Sequence, residues 1–406
     1  MKLKAASLAY AIFITLIIAI LCYALLLVFS FNNDLNDYFT LRKKLLMHNQ
    51  SAIAVMNANY PTFEGINSSQ LFPQDAAIIT TMEATDWGAF KKSQIISYSG
   101  RDTVKQAYLL SSAFNKDMPA LYLRDNDEDF KISGNTILQG DIYISGRGLK
   151  IVNLAGIQSV DKPVHSGTIY TSEKIVPNIT PLELIYPEEF VLKLPSDIKT
   201  NVVINGFDKK TIVIDVGTVL ENIKLKGNII IRSQDTINIK DTAILEDIII
   251  EAPKIVFQEG FKGNLQVFAS KEVVMETGTL LAYPSVIVVG PNESEGKSIV
   301  LKEDSNMNGS ILLYGNGLKD ESKHKINIGP NATVNGTIYC DGVLALYGTV
   351  NGSVIASLLE HKTPTTHHRN LIFNGKILAD KIPNPYFQVQ TLEKYMTDQP
   401  VILKKL

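Results

Sequence analysis

The feature that most constrains the fold of this chain is a short strand pattern that recurs after Lys131. In each repeat a small or turn-forming residue precedes a run of aliphatic residues, and the tightest repeats are spaced 16 to 19 residues apart. That interval is too short for a βαβ unit with its crossover, and the helical half of a leucine-rich repeat is missing. The pattern predicts a mainly β chain whose body, residues 131–406, is a parallel β-helix (β-solenoid).

The repeat series opens at Gly140 and continues to Gly375. Its members are Gly140-Asp-Ile-Tyr-Ile, Gly227-Asn-Ile-Ile-Ile, Glu246-Asp-Ile-Ile-Ile, Gly263-Asn-Leu-Gln-Val, Gly309-Ser-Ile-Leu-Leu, Gly336-Thr-Ile-Tyr, Gly352-Ser-Val-Ile and Gly375-Lys-Ile-Leu. Asn-Gly pairs begin at positions 308, 335, 351 and 374. Because Asn and Gly tolerate positive φ, we expect these pairs at the corners between strands.

Polar loops at 290–297, 315–325 and 358–370 interrupt the repeats. A solenoid has two open sheet edges that must be covered or paired. The segment Ile382-Pro-Asn-Pro-Tyr-Phe-Gln-Val-Gln is expected to form the C-terminal cap. The less regular, proline-containing block 150–200 is expected to cap or decorate the other end.

An apolar run without a charged side chain extends over residues 5–31, from Ala5 to Phe31. About 20 apolar residues cross a bilayer as a helix, so this run predicts one transmembrane helix that is not cleaved. Lys2 and Lys4 precede the span, which places the N-terminus in the cytoplasm and the C-terminal body outside it. Apolar spacing then continues as an amphipathic stem, so that residues 1–59 form one helical segment that runs from about residue 5 to residue 58.

Residues 60–130 predict a small antiparallel β domain. The candidate strands are Ala76–Met82, Phe90–Ser97, Val104–Ser111 and Ala120–Leu123. Trp87, the only tryptophan, is interpreted as a packing anchor. The acidic run 125–129 is interpreted as a linker, because Phe130 and Thr136 stand where a calcium loop needs glycine and glutamate.

Composition excludes several classes of function. The net charge of -2 argues against a general nucleic-acid binder, which needs a basic excess. Cys22 and Cys340 are the only cysteines, so neither a disulfide scaffold nor a cysteine-built zinc site is expected. The chain has no P-loop, nucleophile elbow or dinucleotide fingerprint. We therefore assign no catalytic, cofactor-binding or metal-ligating residue, and we expect no cofactor.

Two groups of residues keep a chemical alternative open. Six acidic residues fall in consecutive repeats, where they could align on one face: Asp215, Asp241, Glu246, Asp247, Glu251 and Glu259. Paired carboxylates of this kind carry out glycoside hydrolysis when they are held at a defined distance. Three imidazoles, those of His361, His367 and His368, flank Thr363-Pro-Thr-Thr in a polar loop and could present ligands to a metal.

Part of the body resembles a known family. The stretch Gly329-Pro-Asn-Ala-Thr-Val-Asn-Gly-Thr-Ile-Tyr-Cys-Asp-Gly-Val-Leu-Ala-Leu-Tyr-Gly-Thr-Val-Asn-Gly-Ser-Val is similar to the repeat of bactofilins, the polymer-forming bacterial β-helix proteins. The resemblance covers about 100–150 residues and implies a β-helix fold. Bactofilins act on the cytoplasmic side of the membrane, whereas this topology places the body outside, so the resemblance is used for the fold and not for the role.

The N-terminal part resembles type IV pilins and minor pseudopilins. A short basic leader, a long hydrophobic helix, an amphipathic extension and a small sheet follow one another in the same order. The resemblance implies a helix that packs with other helices in the core of a filament.

Together these observations predict a non-enzymatic, single-pass protein of the bacterial cytoplasmic membrane, whose β-solenoid is a structural or interaction scaffold of the cell envelope. Two alternatives stay open: a minor pilin-like subunit of a filament or secretion apparatus, and a polysaccharide-acting β-helix enzyme. The expected partners are the lipid bilayer, through residues 5–31, and other proteins or further copies of the chain. The sequence assigns no small-molecule ligand.

Intact-mass and N-terminal peptide mass spectrometry on protein from native membranes separates the anchor from the pilin-like alternative. A permanent anchor should retain Met1. A chain that begins at Ala6, with a methylated amine, would contradict the static anchor and support assembly into a filament.

Overall fold

The structure is a computed structural model. It describes residues 5–60, 65–69, 71–100, 102–154, 163–182, 184, 186, 202–290, 296–315, 321–383, 386–389, 393–395, 397 and 399–406. Lys2, Lys4, Pro187, Pro195 and the middle of the predicted loops 290–297 and 315–325 lie outside these residues. The chain divides into two compact units: one comprises 1–58, 66–83 and 95–106, and the other comprises 59–65, 84–94 and 107–406.

The fold is mainly β, with one long helix at its N-terminal end. The helix spans Ala5–Ala58. The strands of the smaller sheet are Gly65–Ser69, Ile79–Trp87, Phe90–Ser99, Asp102–Ala113, Phe387–Gln388 and Pro400–Lys405. The strands of the two parallel sheets are Leu121–Leu123, Phe130–Ser133, Ile137–Gln139, Ile142–Ile144, Leu149–Ile151, Val164–Ser166, Ile169–Thr171, Val202–Asn205, Ile212–Asp215, Val219–Leu220, Lys224–Gly227, Ile229–Arg232, Ile237–Ile239, Ile244–Phe257, Lys262–Met275, Leu280–Val289, Ser298–Leu301, Asn306–Leu313, Lys325–Ile328, Thr333–Leu346, Thr349–Lys362, His367–Arg369, Leu371–Phe373 and Lys376–Leu378.

The helix has the length and composition needed to cross a membrane. It contains 54 residues, which corresponds to roughly 80 Å at the usual rise per residue. Its apolar first half, beginning at Ser7, is not buried by the rest of the protein. The prediction of one continuous helix from about residue 5 to residue 58 is confirmed.

The second half of the helix is amphipathic, as predicted. Within the helix-containing unit, Leu45 is buried against Ile78 and Val104. The amide of Asn49 donates to the carbonyl of Val104 at 3.3 Å. The ammonium group of Lys44 pairs with Asp75 at 2.6 Å. Beyond the apolar segment, one face of the helix therefore packs against other residues of its own unit.

The second unit is built on a solenoid-like parallel sheet of 21 described strands. Apart from His367–Arg369, which pairs antiparallel with Thr349–Lys362, its strands pair in parallel with strands about one repeat apart. Equivalent side chains therefore form rows across the sheet. One inward row contains Ile214, Ile231, Ile250, Val267, Ile287, Ile311, Ile338, Val354, Leu121, Ile142 and Ile169. Except for Ile169 at one end, these side chains belong to a single buried core. The predicted parallel stacking of repeats is confirmed.

The isoleucine triplets reflect burial on both faces of the sheet. Ile229 and Ile231 belong to the inner core, whereas Ile230 belongs to a second cluster on the outer face. The same alternation holds at 248–250. A strand buried on both faces reads as a continuous apolar run rather than as an alternating one.

The Asn-Gly pairs that begin at 308, 335 and 351 lie inside strands, and only the pair at 374 lies between two strands, so the prediction of corners between strands is wrong for three of the four. The two residues of a pair have different roles. Gly336 and Gly352 take positive φ of 139° and 147°. An added Cβ at either glycine would collide with the carbonyl oxygen of the strand below. The preceding asparagines form a ladder instead: Asn351 donates to Asn335, and Asn335 donates to Asn308, each at 2.7 Å.

The stacking order differs from the order of the repeats along the chain. The repeat at Gly140 does not open the stack next to Val202–Asn205. Instead, Ile137–Gln139 pairs with Lys376–Leu378, and Leu121–Leu123 pairs with residues 354–356. The earliest strands therefore stack on the last repeats, at the end of the sheet away from Val202–Asn205. Their inward aliphatic residues continue the inward row of the later repeats.

Two predictions for the earlier part of the chain are therefore wrong. The strand predicted at Ala120–Leu123 belongs to the parallel sheet and not to the small antiparallel one. The acidic run 125–129 is a turn between two strands of the parallel sheets, not a linker. In this run Asp125 accepts a hydrogen bond from the backbone of Asp127 at 2.8 Å.

The C-terminal segment does not cap a sheet end. Phe387–Gln388 and Pro400–Lys405 pair antiparallel with the strand Asp102–Ala113. Tyr386 and Phe387 pack against the ring of Tyr283 on the outer face of the parallel sheet. These aromatic side chains are buried against an apolar surface, which the outer face of the parallel sheet provides. The segment therefore lies along that face and not over an end of the sheet.

The block 150–200, which was expected to cap or decorate an end of the body, is described only at 150–154, 163–182, 184 and 186. Its described strands Val164–Ser166 and Ile169–Thr171 extend the stack from residues 137–144. Trp87 is buried with its ring edge-on to Phe207 at 5.4 Å, which confirms its role as a packing anchor.

Cysteines placed at register partners test the stacking order. In a Cys22→Ser background, Ile137→Cys with Lys376→Cys should form a disulfide under mild oxidation, because adjacent strands lie about 4.8 Å apart. The matched control, Ile137→Cys with Val202→Cys, should keep free thiols in peptide mass spectrometry. Cross-linking of the control pair alone would show that the repeats stack in chain order.

Candidate functional site

One outward row of side chains runs the length of the parallel sheet. It lies on the face opposite the core, one residue beyond each inward aliphatic position. Its members are Asp215, Arg232, Glu251, Phe268, Val288, Leu312, Tyr339, Ile355, Tyr122, Tyr143 and Tyr170. The row is charged at one end and aromatic at the other, so its two ends have different chemistry.

The charged end of this row forms the floor of a groove, which we call the Glu251 groove. The groove encloses about 480 Å³, a volume in the range of small-molecule sites. Arg232, Glu251 and Phe268 line it together with Tyr186. The remaining described lining residues are Leu182, Leu184, Ser233, Gln234, Ala252, Pro253, Ala269, Ser270, Val288 and Gly290.

Arg232 in the groove lining is held by a charged pair and lies beside an aromatic ring. The guanidinium of Arg232 donates to Asp215 through Nε, and its Nη2 lies 2.9 Å from the same carboxylate oxygen. The guanidinium carbon lies 5.4 Å from the centroid of the Tyr186 ring. The Tyr186 hydroxyl is buried and has no hydrogen-bond partner within the described residues.

Glu251 is the unusual group in the groove. Its side chain is partly buried, and burial raises the pKa of its carboxyl. No described residue forms an ion pair or side-chain hydrogen bond with this carboxyl, although it is the register partner of Arg232. A carboxyl in this position can accept or donate a hydrogen bond to a ligand, depending on its protonation state.

The other acidic residues singled out from the sequence do not join this site. Glu246 pairs with Lys226 at 2.6 Å, and the lysine lowers the pKa of its carboxyl. Asp247 pairs with Lys404 at 2.6 Å. Asp241 and Glu259 are exposed in turns. Of the six candidates, the structure therefore places Asp215 and Glu251 in one row, with Arg232 between them.

The three histidines lie in a hairpin but do not converge. His361 and His368 are register partners, and their ring centroids are 6.3 Å apart. His367 instead pairs with Glu360, with 3.0 Å between Nε2 and Oε2. No group of three potential metal ligands occurs among the described residues. The open question of a metal in this loop gains no support from the geometry.

The aromatic end of the row contains a tyrosine stack. The ring centroids of Tyr122 and Tyr143 are 5.6 Å apart, and those of Tyr143 and Tyr170 are 4.9 Å apart. The rings face one another, so the faces of the middle ring are covered by its neighbours. Carbohydrate stacking along the row is therefore not available at Tyr143.

Tyrosine hydroxyls also hold the segment that leads back toward the groove. The hydroxyls of Tyr122, Tyr339 and Tyr314 donate to the carbonyl oxygens of Ile175, Pro177 and Thr180, respectively. The hydroxyl of Tyr314 also accepts from the backbone of Leu182 at 3.1 Å. This segment crosses successive repeats and ends near the groove wall at Leu184 and Tyr186.

Sequence reasoning missed Arg232, Tyr186 and the tyrosine stack. A signal for Arg232 was present, because it follows Asn-Ile-Ile-Ile just as Glu251 follows Asp-Ile-Ile-Ile. Aligning these repeats places the two side chains in one row. The triplets Leu-Tyr-Leu, Ile-Tyr-Ile and Ile-Tyr-Thr similarly mark the stacked tyrosines. Tyr186 carries no such signal, because it lies outside the repeats.

The comparisons with known proteins add no assignment. No family model matches the chain, and no curated protein and no solved structure matches it. The similarities to bactofilins and to pilins therefore stay predictions that rest on the residues quoted for them.

The raised pKa of Glu251 predicts how a substitution at this position changes stability. A raised pKa means that ionising Glu251 costs more in the folded than in the unfolded state. Glu251→Gln should therefore raise the melting temperature at pH 7.5, and the gain should shrink as the pH falls toward about 4.3, the ordinary value for glutamate.

The measurement is thermal unfolding of the full chain in detergent, followed by circular dichroism across this pH range. Glu259→Gln, at an exposed turn, is the matched control and should change little at any pH. A destabilised Glu251→Gln variant at pH 7.5 would show that the carboxylate has a stabilising partner.

Proposed function

We propose that this protein is a membrane-anchored, non-enzymatic scaffold of the bacterial cell envelope. The observation that carries the proposal is the long apolar helix, whose first half is not buried, joined to a chain that is otherwise mainly β. An apolar helix without a protein partner is stable when lipid surrounds it. The helix anchors the chain, and the parallel sheet presents an extended surface.

The sheet is proposed to be a β-solenoid. Supporting this, the inward row and the outward row both continue through successive repeats, and the register shifts within these strands lie outside the two rows. Such a stack is stiff, because each strand is hydrogen-bonded to the repeats on both sides. A stiff body suits a protein that holds partners at a distance from the membrane.

The body is proposed to lie outside the cytoplasm, with the N-terminus inside. The support is the basic pair Lys2 and Lys4 directly before the apolar run, whereas the first basic residue after the run is Arg42. In this orientation, the Glu251 groove faces the envelope rather than the cytoplasm.

Binding is favoured over catalysis at the groove. Glycoside hydrolysis needs two carboxyl groups, one on each side of the scissile bond. Within the described lining Glu251 is the only carboxylic residue, and nearby Asp215 is bound to Arg232. The described lining can therefore hold a ligand, but among these residues it offers no second free carboxylate for a reaction.

Protein partners or further copies of the chain are proposed to meet the two ends of the sheet, as the described strands form it. Ile169 and Tyr170 are exposed at one end, and Val202 and Ile204 are exposed at the other. Edge strands with exposed apolar side chains are suited to pair with an added strand.

Membrane extraction and protease protection test the proposal. The full chain should stay in the membrane pellet after carbonate washing, and a variant lacking residues 1–31 should be released. In intact spheroplasts, added protease should digest the body and leave a short membrane fragment. Protection of the body until the cells are lysed would contradict the proposed orientation, and release of the full chain by carbonate would contradict the anchor.

A further inference from the structure

The last long strand of the parallel sheet, Thr349–Lys362, continues into a hairpin that contains three of the six histidines of the chain. The returning strand, His367–Arg369, pairs antiparallel with its end, so that His361 lies opposite His368. We call residues 358–370 the histidine hairpin. Because histidine is the side chain whose ordinary pKa is nearest to neutral pH, a group of histidines can respond to mild acid.

His361 is the buried member of this group. Only 5 % of its surface is exposed, and neither ring nitrogen has a hydrogen-bond partner within the described residues. Its ring centroid lies 5.0 Å from that of Phe373, 5.5 Å from that of Tyr347 and 6.3 Å from that of His368. A neutral imidazole tolerates this aromatic surrounding, whereas an imidazolium needs acceptors for two N–H groups.

The groups that face His361 do not stabilise a proton on its ring. On the pairing strand, a proton on His368 repels a second one on His361. The Tyr347 hydroxyl already donates to the carbonyl oxygen of Lys362 and accepts from the backbone nitrogen of that residue. The side chain of Phe373 has no polar atom. Burial, with a smaller contribution from His368, therefore lowers the pKa of His361.

The charged neighbours of His361 on its own strand, Glu360 and Lys362, point to the other face of the strand. There the Glu360 carboxylate lies 3.0 Å from Nε2 of His367 and 3.6 Å from the ammonium group of Lys325. A proton on His367 strengthens this pair and favours the closed hairpin. The His367 side chain is 52 % exposed, and exposed ion pairs contribute little to stability, so the buried His361 decides the net effect of acid.

The base of the histidine hairpin is tied to early strands of the chain. The side-chain amide of Asn370 donates to Glu128 at 3.2 Å, and the strand Leu371–Phe373 pairs with Lys131–Ser133. The ring of His361 contacts the last residue of Leu371–Phe373. A change of charge at His361 therefore acts next to the junction between the first and the last repeats.

We propose that the histidine hairpin is an acid-sensitive switch, which opens when His361 takes up a proton. In the closed form the ring is neutral and buried. In the open form the imidazolium is hydrated, and the backbone of residues 360–362 becomes an unpaired strand edge on that side. This proposal depends neither on the membrane anchor nor on the orientation of the body.

The direction of the pH dependence follows from the lowered pKa of His361. Exposed to water, the ring binds a proton at about pH 6.5, the ordinary value for histidine, whereas the closed hairpin binds it only at a lower pH. The closed form is therefore fully favoured above about pH 6.5 and loses stability as the pH falls below that value.

Hydrogen–deuterium exchange of the full chain in detergent, followed by mass spectrometry and corrected for the intrinsic rate at each pH, tests the switch. At about pH 5.5 histidine can be protonated while ordinary carboxylates stay ionised. Peptides that cover residues 358–370 should then lose protection relative to pH 7.5. Peptides that cover Asn306–Leu313, which has no histidine, should keep theirs. Unchanged or increased protection of the hairpin in acid would overturn the proposal.

Substitutions assign the effect to His361. His361→Phe keeps an aromatic ring in the same surrounding but cannot bind a proton, so the hairpin should stay protected at about pH 5.5. His367→Gln, on the other face, is the matched control and should open in acid at least as readily as the wild type. A His361→Phe variant that opens in acid like the wild type would overturn the assignment.

A second variant covers the case in which His361→Phe disturbs packing, which circular dichroism melting at pH 7.5 shows. His368→Gln leaves His361 in place and removes the charge that repels its proton. The hairpin of this variant should open at a lower pH than that of the wild type. An unchanged or higher opening pH would overturn the proposed coupling of the two rings, and with it the switch.

Discussion

Parallel register is the constraint on which the rest of the second unit depends. When strands pair in parallel with strands about one repeat away, every side-chain position becomes a row, and a row that faces the core has to be apolar along its length. The inward row is aliphatic from Ile214 to Ile142. The outward row can change, because it faces a covering layer in some places and a groove in others. The outward row can therefore be charged at one end and aromatic at the other.

The parts of the fold that could be predicted are those encoded by local pattern. The long helix follows from an uninterrupted apolar run with an amphipathic continuation, and the parallel sheet follows from short aliphatic runs at intervals too small for helical crossovers. The positive φ of Gly336 and Gly352 follows from the conformational freedom of glycine, although both residues lie inside strands rather than at corners between them. Each of these inferences uses residues that are close together in the chain.

The parts that could not be predicted depend on long-range choices. Any aliphatic strand can extend an aliphatic row, so nothing local shows that Leu121 stacks on Val354 rather than preceding Val202. The C-terminal aromatic residues could equally serve an end or a side of a sheet until the position of Tyr283 is known. In the candidate site, Glu251 was recognisable as an acidic repeat residue. Its lack of a partner among the described residues depends on the pairing of Arg232 with Asp215, which no local pattern shows.

The inverted stacking order has a consequence for how the chain is made. Leu121–Leu123 leaves the ribosome long before residues 354–356, with which it pairs. These early strands stay unpaired on that side throughout most of synthesis, and their native contacts have a large sequence separation, which slows folding. Repeats from Val202 onward can begin to pair with one another as they emerge from the ribosome. Closure of the body therefore waits for the end of translation, and the nascent chain carries exposed strand edges until that moment.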